Sequence, residues 1–403
     1  MNGDEQLVRD RLAKLLTDYD PAATEPSAFW GAQFDLGLAW VRFPTGRGGL
    51  GVSPSLQGVV DEALRNAGAP TNYFRNPLAV GMGAPTIIAY GTPEQQDRWL
   101  RPAFTCEDIW CQLFSEPDSG SDLASLSCRA VLDEAAGEWV VNGQKTWTTL
   151  AHRARWGLLM ARTDSGVERH HGITYFVLDM TDPGVEVRPI RQLTGDAEFN
   201  EVYFTGVRIP DSQRLGEVGD GWRVALTTLM NERVTVGALG KEQRGQGEIR
   251  HAVALWKERG LTDPVRRDQL ARLWIEGEIL RLTNVRAQAA RERAGDPGPE
   301  GAILKLLVGT FQQRLWTFVV DLLGPEGMLV SDYEMRRPTS ISEDTLGSSG
   351  PMNHQKAFLS VRGTTIGGGT TEIGRNILGE RVLGLPAEPR LDKDLPWSQV
   401  PRS

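Results

Sequence analysis

The chain has 403 residues, 40% of them hydrophobic and 24% charged, with a formal net charge of −8. That is the composition of a globular protein with room for two or three domains. The acidic balance argues against a nucleic-acid backbone or an anionic membrane surface as the main partner.

The first segment reads as helical. In "SPSLQGVVDEALRNAGA", Leu56, Val59, Val60 and Leu64 fall at helical spacing and Gly68 follows as a stop. In "TPEQQDRWLRPAF", Thr92 is the expected N-cap, with Pro93 at the first helical position and Glu94 in the first turn. The start, "MNGDEQLVRDRLAKLL", is charged and lacks the apolar run of a leader. No run nears the roughly 18 apolar residues of a membrane span, so a cytoplasmic location is expected. Cys106, Cys111 and Cys128 form no C-x-x-C pair and read as reduced, buried small hydrophobes.

From about residue 110 the period becomes two. "EWVVNGQKTWTT" reads as a hairpin turning at Asn142-Gly143. "RWGLLMAR", "GITYFVLDM", "GVEVRPI" and "NEVYFTGVRIP" follow as short strands, suggesting a small antiparallel barrel or sandwich. Beyond about residue 220 the chain is helical again. One long helix is capped at Asp263-Pro264, with Leu270, Leu273, Trp274 and Leu280 on its buried stripe. The next carries Ile303, Leu306, Leu307, Phe311, Leu315, Phe318 and Leu322 and stops at Gly324-Pro325. Long helices with short breaks suggest a bundle. "PRLDKDLPWSQVPRS" reads as an extended tail. The expected domains are therefore a helical one at 1–108, a β domain at 109–220 and a helical bundle at 221–403.

No G-x-G-x-x-G, Walker loop, G-x-S-x-G or H-E-x-x-H is present. The five histidines show no ligand spacing, so no metal site is expected; His170 and His171 read as part of a solvated loop. Three stretches could carry chemistry. "CQLFSEPDSGSDLASL" offers hydroxyls and backbone amides in a tight polar loop, which is also what an ordinary capped turn looks like. Trp147 and Thr149, two apart on a strand, share a face by alternation and could flank a planar group, although such a tryptophan is more often core. In "DGWRVALTTLMNERVTVGALG", Glu232 stands between apolar residues. A desolvated carboxylate there has a raised pKa and can act as a base; the plainer reading is a bundle glutamate paired with Arg233.

These stretches, with "GRGGLG", "GAPTIIAYGTPEQQDRWL", "FNEVYFTGVRIP", "GEVGDGW" and the closing "GGGTTEIGRNILGERVLGLP", come in an order and at spacings that resemble the acyl-CoA dehydrogenase family over nearly the whole chain. The likeness is to the bacterial branch acting on bulky or unusual acyl chains. It implies an α+β fold: an N-terminal helical domain, a small antiparallel β-barrel and a C-terminal four-helix bundle. It also implies FAD as cofactor and α,β-dehydrogenation of an acyl-CoA thioester to the trans-2-enoyl-CoA. A carboxylate takes the α-proton, flavin N5 takes the β-hydride, and electrons pass to an electron-transfer flavoprotein.

By this resemblance Gln112, Phe114 and Ser115 lie along the flavin ring and its polar edge, while Trp147 and Thr149 cover the other side and reach N5. Ser121 and Arg233 match positions that contact the CoA moiety. Thr370 and Glu372 match FAD-contacting positions. The position where many relatives carry the base is Gly368 here, and the neighbouring Gly367 is also glycine. Glu232, immediately before Arg233, matches the placement used by isovaleryl-type and long-chain-type enzymes and is the expected base, with Glu372 as runner-up. Two motifs that contact a neighbouring subunit's FAD are altered. R-x-x-F-G leaves only Arg259, and Gln-x-x-Gly-Gly becomes the run from Asp321 to Pro325. A homo- or hetero-oligomer, dimer or tetramer, is expected. The alternatives are a partner subunit of a heteromeric dehydrogenase and a same-fold flavin monooxygenase or oxidase.

Overall fold

The computed structural model of the chain describes residues 3–238, 244–294, 300–330, 334–341, 353–387, 389, 392 and 395–401. Helices come first: α1 (Gly3–Asp18), α2 (Pro26–Asp35), α3 (Gln57–Asn66), α4 (Ala84–Tyr90) and α5 (Pro93–Phe104). α5 starts as its sequence dictates. The Thr92 hydroxyl accepts from the Gln95 N–H, and the Gln95 side chain accepts from the Thr92 N–H, closing a capping box. Gly68, beyond α3, takes φ +68°, the left-handed stop that glycine adopts without penalty.

The strands follow: β1 (Trp110–Leu113), β2 (Arg129–Asp133), β3 (Glu138–Thr149), β4 (Trp156–Arg162), β5 (Ile173–Asp179), β6 (Val185–Pro189), β7 (Phe199–Pro210) and β8 (Arg214–Leu215). They form one sheet in the order β6-β7-β3-β2-β4-β5-β8, with β1 pairing parallel to β4. Every residue of β4 is buried, where alternation would expose every second one. Leu158 and Met160 face the N-terminal helices, and Leu159 and Ala161 face the interior of the β domain. A strand covered on both faces reads as a continuous apolar run.

The expected hairpin at Asn142-Gly143 is not there. β3 runs unbroken through both residues. The turn lies earlier, between β2 and β3, where Gly137 takes φ +66° and its N–H donates to the Asp133 carbonyl at 2.9 Å. Asn142 instead meets an irregularity in β7, its Oδ1 accepting from the Gly206 N–H at 2.9 Å. Gly143 is required by proximity: it has φ +147°, and a Cβ there would sit 2.8 Å from the Cys128 Cα. Gly143→Ala is therefore expected to destabilise the protein by about 1–3 kcal/mol, because the obstacle is backbone rather than a movable side chain. An unchanged midpoint of urea unfolding would show that β2 can yield.

Next come α6 (Gly221–Ala238), α7 (Ile249–Glu258), α8 (Pro264–Ala294), α9 (Glu300–Leu323), α10 (His354–Ser360) and α11 (Thr371–Ile377). α8 begins at the predicted cap, with the Asp263 carboxylate accepting from the Val265 and Arg266 N–H groups. α9 is the hub, touching α6, α7, α8, α10 and α11. Its Phe311, Leu315, Phe318 and Leu322 are buried as their spacing predicts. No helix among the described residues is long and apolar enough to cross a membrane.

Candidate active site

The ends of β1 and β3 are drawn together by backbone and side-chain bonds. The Thr146 N–H donates to the Ser115 carbonyl at 2.9 Å. The Lys145 ammonium donates to the Phe114 carbonyl at 2.9 Å and to Glu116 Oε1 at 2.8 Å. Glu116 also accepts from the Ser127 N–H at 2.6 Å and the Cys128 N–H at 2.9 Å. Lys145 is 0% exposed and Glu116 7%. Two opposite charges so hidden are tolerated because each is paired and hydrogen-bonded. Lys145 follows Trp139 and Val141 on the inward register of β3. Sequence reasoning passes over this pair, although a lysine on the apolar register of a strand is the signal that marks it.

Just past Lys145 the strand breaks its alternation. The pairing of β3 with β7 shifts between Lys145 and Thr148, and Trp147 takes φ +57°. Such backbone is rare for a bulky residue and concentrates at functional sites. The inward parity of Lys145 ends there: Trp147 is turned outward and 60% exposed, Thr148 is fully buried, and Thr149, on the same side as Trp147, is half-buried. The Trp147 ring lies edge-on to Phe199, at 6.1 Å between centroids. Across the junction Gln112 and Ser115 are half-buried and Phe114 is buried. Among the described residues, the Gln112 amide and the hydroxyls of Ser115 and Thr149 make no hydrogen bond. An outward indole beside three uncommitted polar groups suits a planar heterocycle with a polar edge.

This junction is tied to α6. Phe114 packs edge-on against Tyr175, with centroids 5.8 Å apart. The Tyr175 hydroxyl lies 3.0 Å from Thr228 Oγ1, which lies 2.9 Å from Thr86 Oγ1 of α4. Thr228 is thus the point where α6 meets both the sheet and the N-terminal helices. Glu232 follows it by one helical turn and Arg233 comes next; the side chains of both lie outside the described residues.

Ser121 is exposed on the loop between β1 and β2. Thr370 and Glu372 sit on the bundle. Gly368 and Gly369 take φ +67° and +90°, forming the turn expected of the glycine run. Thr370 caps α11, its hydroxyl accepting from the Ile373 N–H at 3.2 Å. Glu372 is exposed. Its own backbone N–H and the Thr371 hydroxyl hold its carboxyl below the usual carboxylate range, and Arg375 lies 3.4 Å away. A carboxyl held that way is a weakened proton acceptor. No hydrogen bond among the described residues joins either residue to the β1–β3 junction. The structure therefore gathers Gln112, Phe114, Ser115, Trp147 and Thr149 at the β1–β3 junction, and sets Thr370 and Glu372 at the start of α11.

Cys111 and Cys128 are buried and Cys106 is partly so, all three free thiols. Burial pushes Cys106 and Cys128 up to about 12. His171 is exposed, and His170 packs on Trp222 with centroids 4.7 Å apart.

Sequence models of the acyl-CoA dehydrogenase N-terminal, middle and C-terminal domains match residues 5–107, 111–207 and 219–383. The acyl-CoA dehydrogenase IpdE1 of Mycolicibacterium smegmatis is 39% identical over 363 residues, which are 87% of this chain and 86% of the relative. Among solved structures, the Tcur3481-Tcur3483 steroid ACAD superposes with a TM-score of 0.72 at 25% identity, covering 96% of this chain and 99% of that one. A glutaryl-CoA dehydrogenase from Mycobacterium smegmatis, solved in complex with FADH2, shares the fold at a TM-score of 0.66 and 21% identity, covering 97% of each chain.

Proposed function

The chain belongs to the acyl-CoA dehydrogenase family, and from that premise we propose that it binds FAD at the β1–β3 junction and converts an acyl-CoA thioester to its trans-2-enoyl-CoA. The observation that carries this reading is the outward Trp147 beside the uncommitted Gln112, Ser115 and Thr149, on two segments bonded through Thr146 and Ser115. The flavin, when bound, supplies the acceptor for the β-hydride. Phe114 and Trp147 would flank its ring. Gln112 and Ser115 would meet its polar edge, and the Thr149 hydroxyl the side where the hydride arrives. Glu232 takes the α-proton: it is one turn beyond the Thr228 anchor that links α6 to Phe114 through Tyr175. Ser121 and Arg233 receive the CoA moiety, and Thr370 and Glu372 add to the cofactor contact. Electrons leave to an electron-transfer flavoprotein. Likeness to a steroid ACAD supports a bulky acyl group.

A second reading draws on one further observation. Arg259, the remnant of one altered boundary motif, is ion-paired with Glu326, just past the other, and its guanidinium also donates to the Leu323 carbonyl at 3.5 Å. A cation spent within its own chain is less available to a neighbouring subunit's cofactor. That favours a heteromeric assembly in which a different chain completes part of the FAD site.

Anaerobic titration of the purified protein with acyl-CoAs from short chains to steroid-sized groups tests both. Loss of oxidised-flavin absorbance with a bulky thioester supports the leading reading. A yellow protein that no thioester bleaches overturns it. Colour gained only with a second subunit supports the heteromer.

A further inference from the structure

The tail that reads as extended in the sequence is docked. Trp397 N–H donates to the Val167 carbonyl at 2.8 Å, and Ser398 N–H donates to the Ser165 carbonyl at 3.0 Å. Pro396 forms an isolated antiparallel bridge with Glu168, and Trp397–Gln399 follow as a single 3-10 turn against the loop between β4 and β5.

What it docks against is a buried cation. Arg162, 2% exposed, donates to the Ala124 carbonyl at 2.7 Å and the Arg169 carbonyl at 2.6 Å, with longer contacts of 3.4 Å to the Leu126 carbonyl. The indole of Trp397 lies against that guanidinium, 4.7 Å from its carbon, and its Nε1 donates to the Ser125 carbonyl at 3.3 Å. A guanidinium taken out of water needs an acceptor or a π face on every side, and the tail supplies one such face. Three successive carbonyls, from Ala124 to Leu126, are thereby held by Arg162 and Trp397 together. A second clamp acts nearby: Arg169 pairs with Asp122 at 3.0 Å and with Asp392 of the tail at 3.1 Å. Asp122 is the residue after Ser121.

We propose that Trp397 is a positioning residue for the Ser119–Leu126 loop, and that the docked tail fixes this loop to receive the CoA arm of the substrate. The proposal rests on the reading of Ser121 as a CoA contact. The tail's hydrogen-bond and ion-pair partners named above lie in the segments 122–126 and 165–169, so its effect is expected first on the loop that carries Ser121. Because Trp397 acts through Arg162 and the loop carbonyls, both the ring and the N–H contribute, and they are separable by substitution.

The test is Trp397→Ala and Trp397→Phe in the full-length holoprotein, with three readouts: hydrogen exchange of the loop amides, CoA binding by calorimetry, and steady-state kinetics. Trp397→Ala is expected to speed exchange at Ser125 and Leu126. It should also weaken CoA binding and raise KM about tenfold, with a smaller change in kcat. Trp397→Phe keeps a π face over Arg162 and is expected to recover part of each loss. Unchanged exchange in Trp397→Ala overturns the clamp. Faster exchange with unaltered CoA affinity overturns the link to substrate. Failure of the unsubstituted protein to bind CoA at all overturns the CoA reading itself, and the exchange data then still report separately whether the clamp exists.

Discussion

Lys145→Met is expected to lower the free energy of unfolding by about 3–5 kcal/mol, the usual cost of leaving one member of a buried ion pair uncompensated. The substitution keeps the length and apolar stem of the side chain, so little packing is lost. What it strands is Glu116, 7% exposed and left with only the Ser127 and Cys128 N–H groups. The Phe114 carbonyl also loses its ammonium donor. Apolar gain from the methionine, about 1 kcal/mol for the terminal group, does not offset a buried anion. The double variant Lys145→Met/Glu116→Gln removes the orphaned charge and is expected to regain more than half of the loss, since replacing both partners of a buried pair is often near neutral. Because this pair joins the segments on both sides of the proposed flavin, the single variant is also expected to purify with less FAD. Urea unfolding of the two variants beside the parent, with flavin content by absorbance, makes the comparison. Equal stability in all three would show that water or a local shift has replaced the pair, and the junction would then need another explanation.

The helical-then-β-then-helical order was legible because it rests on periodicity, a property each segment carries by itself. The caps at Thr92 and Asp263 and the stripe on α9 were legible for the same reason. Non-local features were not. Asn142-Gly143 carries a hairpin signal, but β7 pairs along the whole of β3, and that long-range ladder overrides a local turn preference. Alternation puts Trp147 and Thr149 on one face, and the burial of Thr148 between them agrees, but it does not say which face is outward. The break between Lys145 and Thr148, which turns the indole outward, is set by pairing with β7 and has no local signature. The approach of Ser115 to Thr146 and the docking of Trp397 on Arg162 join residues far apart in sequence, and no pattern in either partner announces the other. The candidate site was visible only as an ordered set of motifs; the bonds that hold it together come from the fold.

The largest effect on activity is expected from Glu232→Gln. Glutamine keeps the size of the side chain and a polar end, and removes only the capacity to take a proton. Loss of a positioned general base costs roughly a thousandfold, about 4 kcal/mol of barrier, within the range for such groups. Three features set this expectation. Gly367 and Gly368 leave the closing stretch without a carboxylate before the helix cap. Glu372, beyond that cap, is exposed, hydrogen-bonded to Thr371 and held below the usual carboxylate range, which weakens it as a proton acceptor. Glu232 lies on α6 one turn beyond Thr228, where that helix is bonded to Tyr175 and Thr86. The variant should bind FAD and CoA as the parent does, yet fail to bleach the flavin in single-turnover experiments with a saturating thioester. Glu372→Gln is the control and should retain most of the bleaching rate, with any change appearing first in flavin content. If Glu232→Gln bleaches at the parental rate while Glu372→Gln does not, the roles are reversed, and the base approaches the substrate from the glycine-run side of the bundle. If neither changes the rate, proton removal is not carried by either carboxylate, and the dehydrogenase reading loses its chemical step.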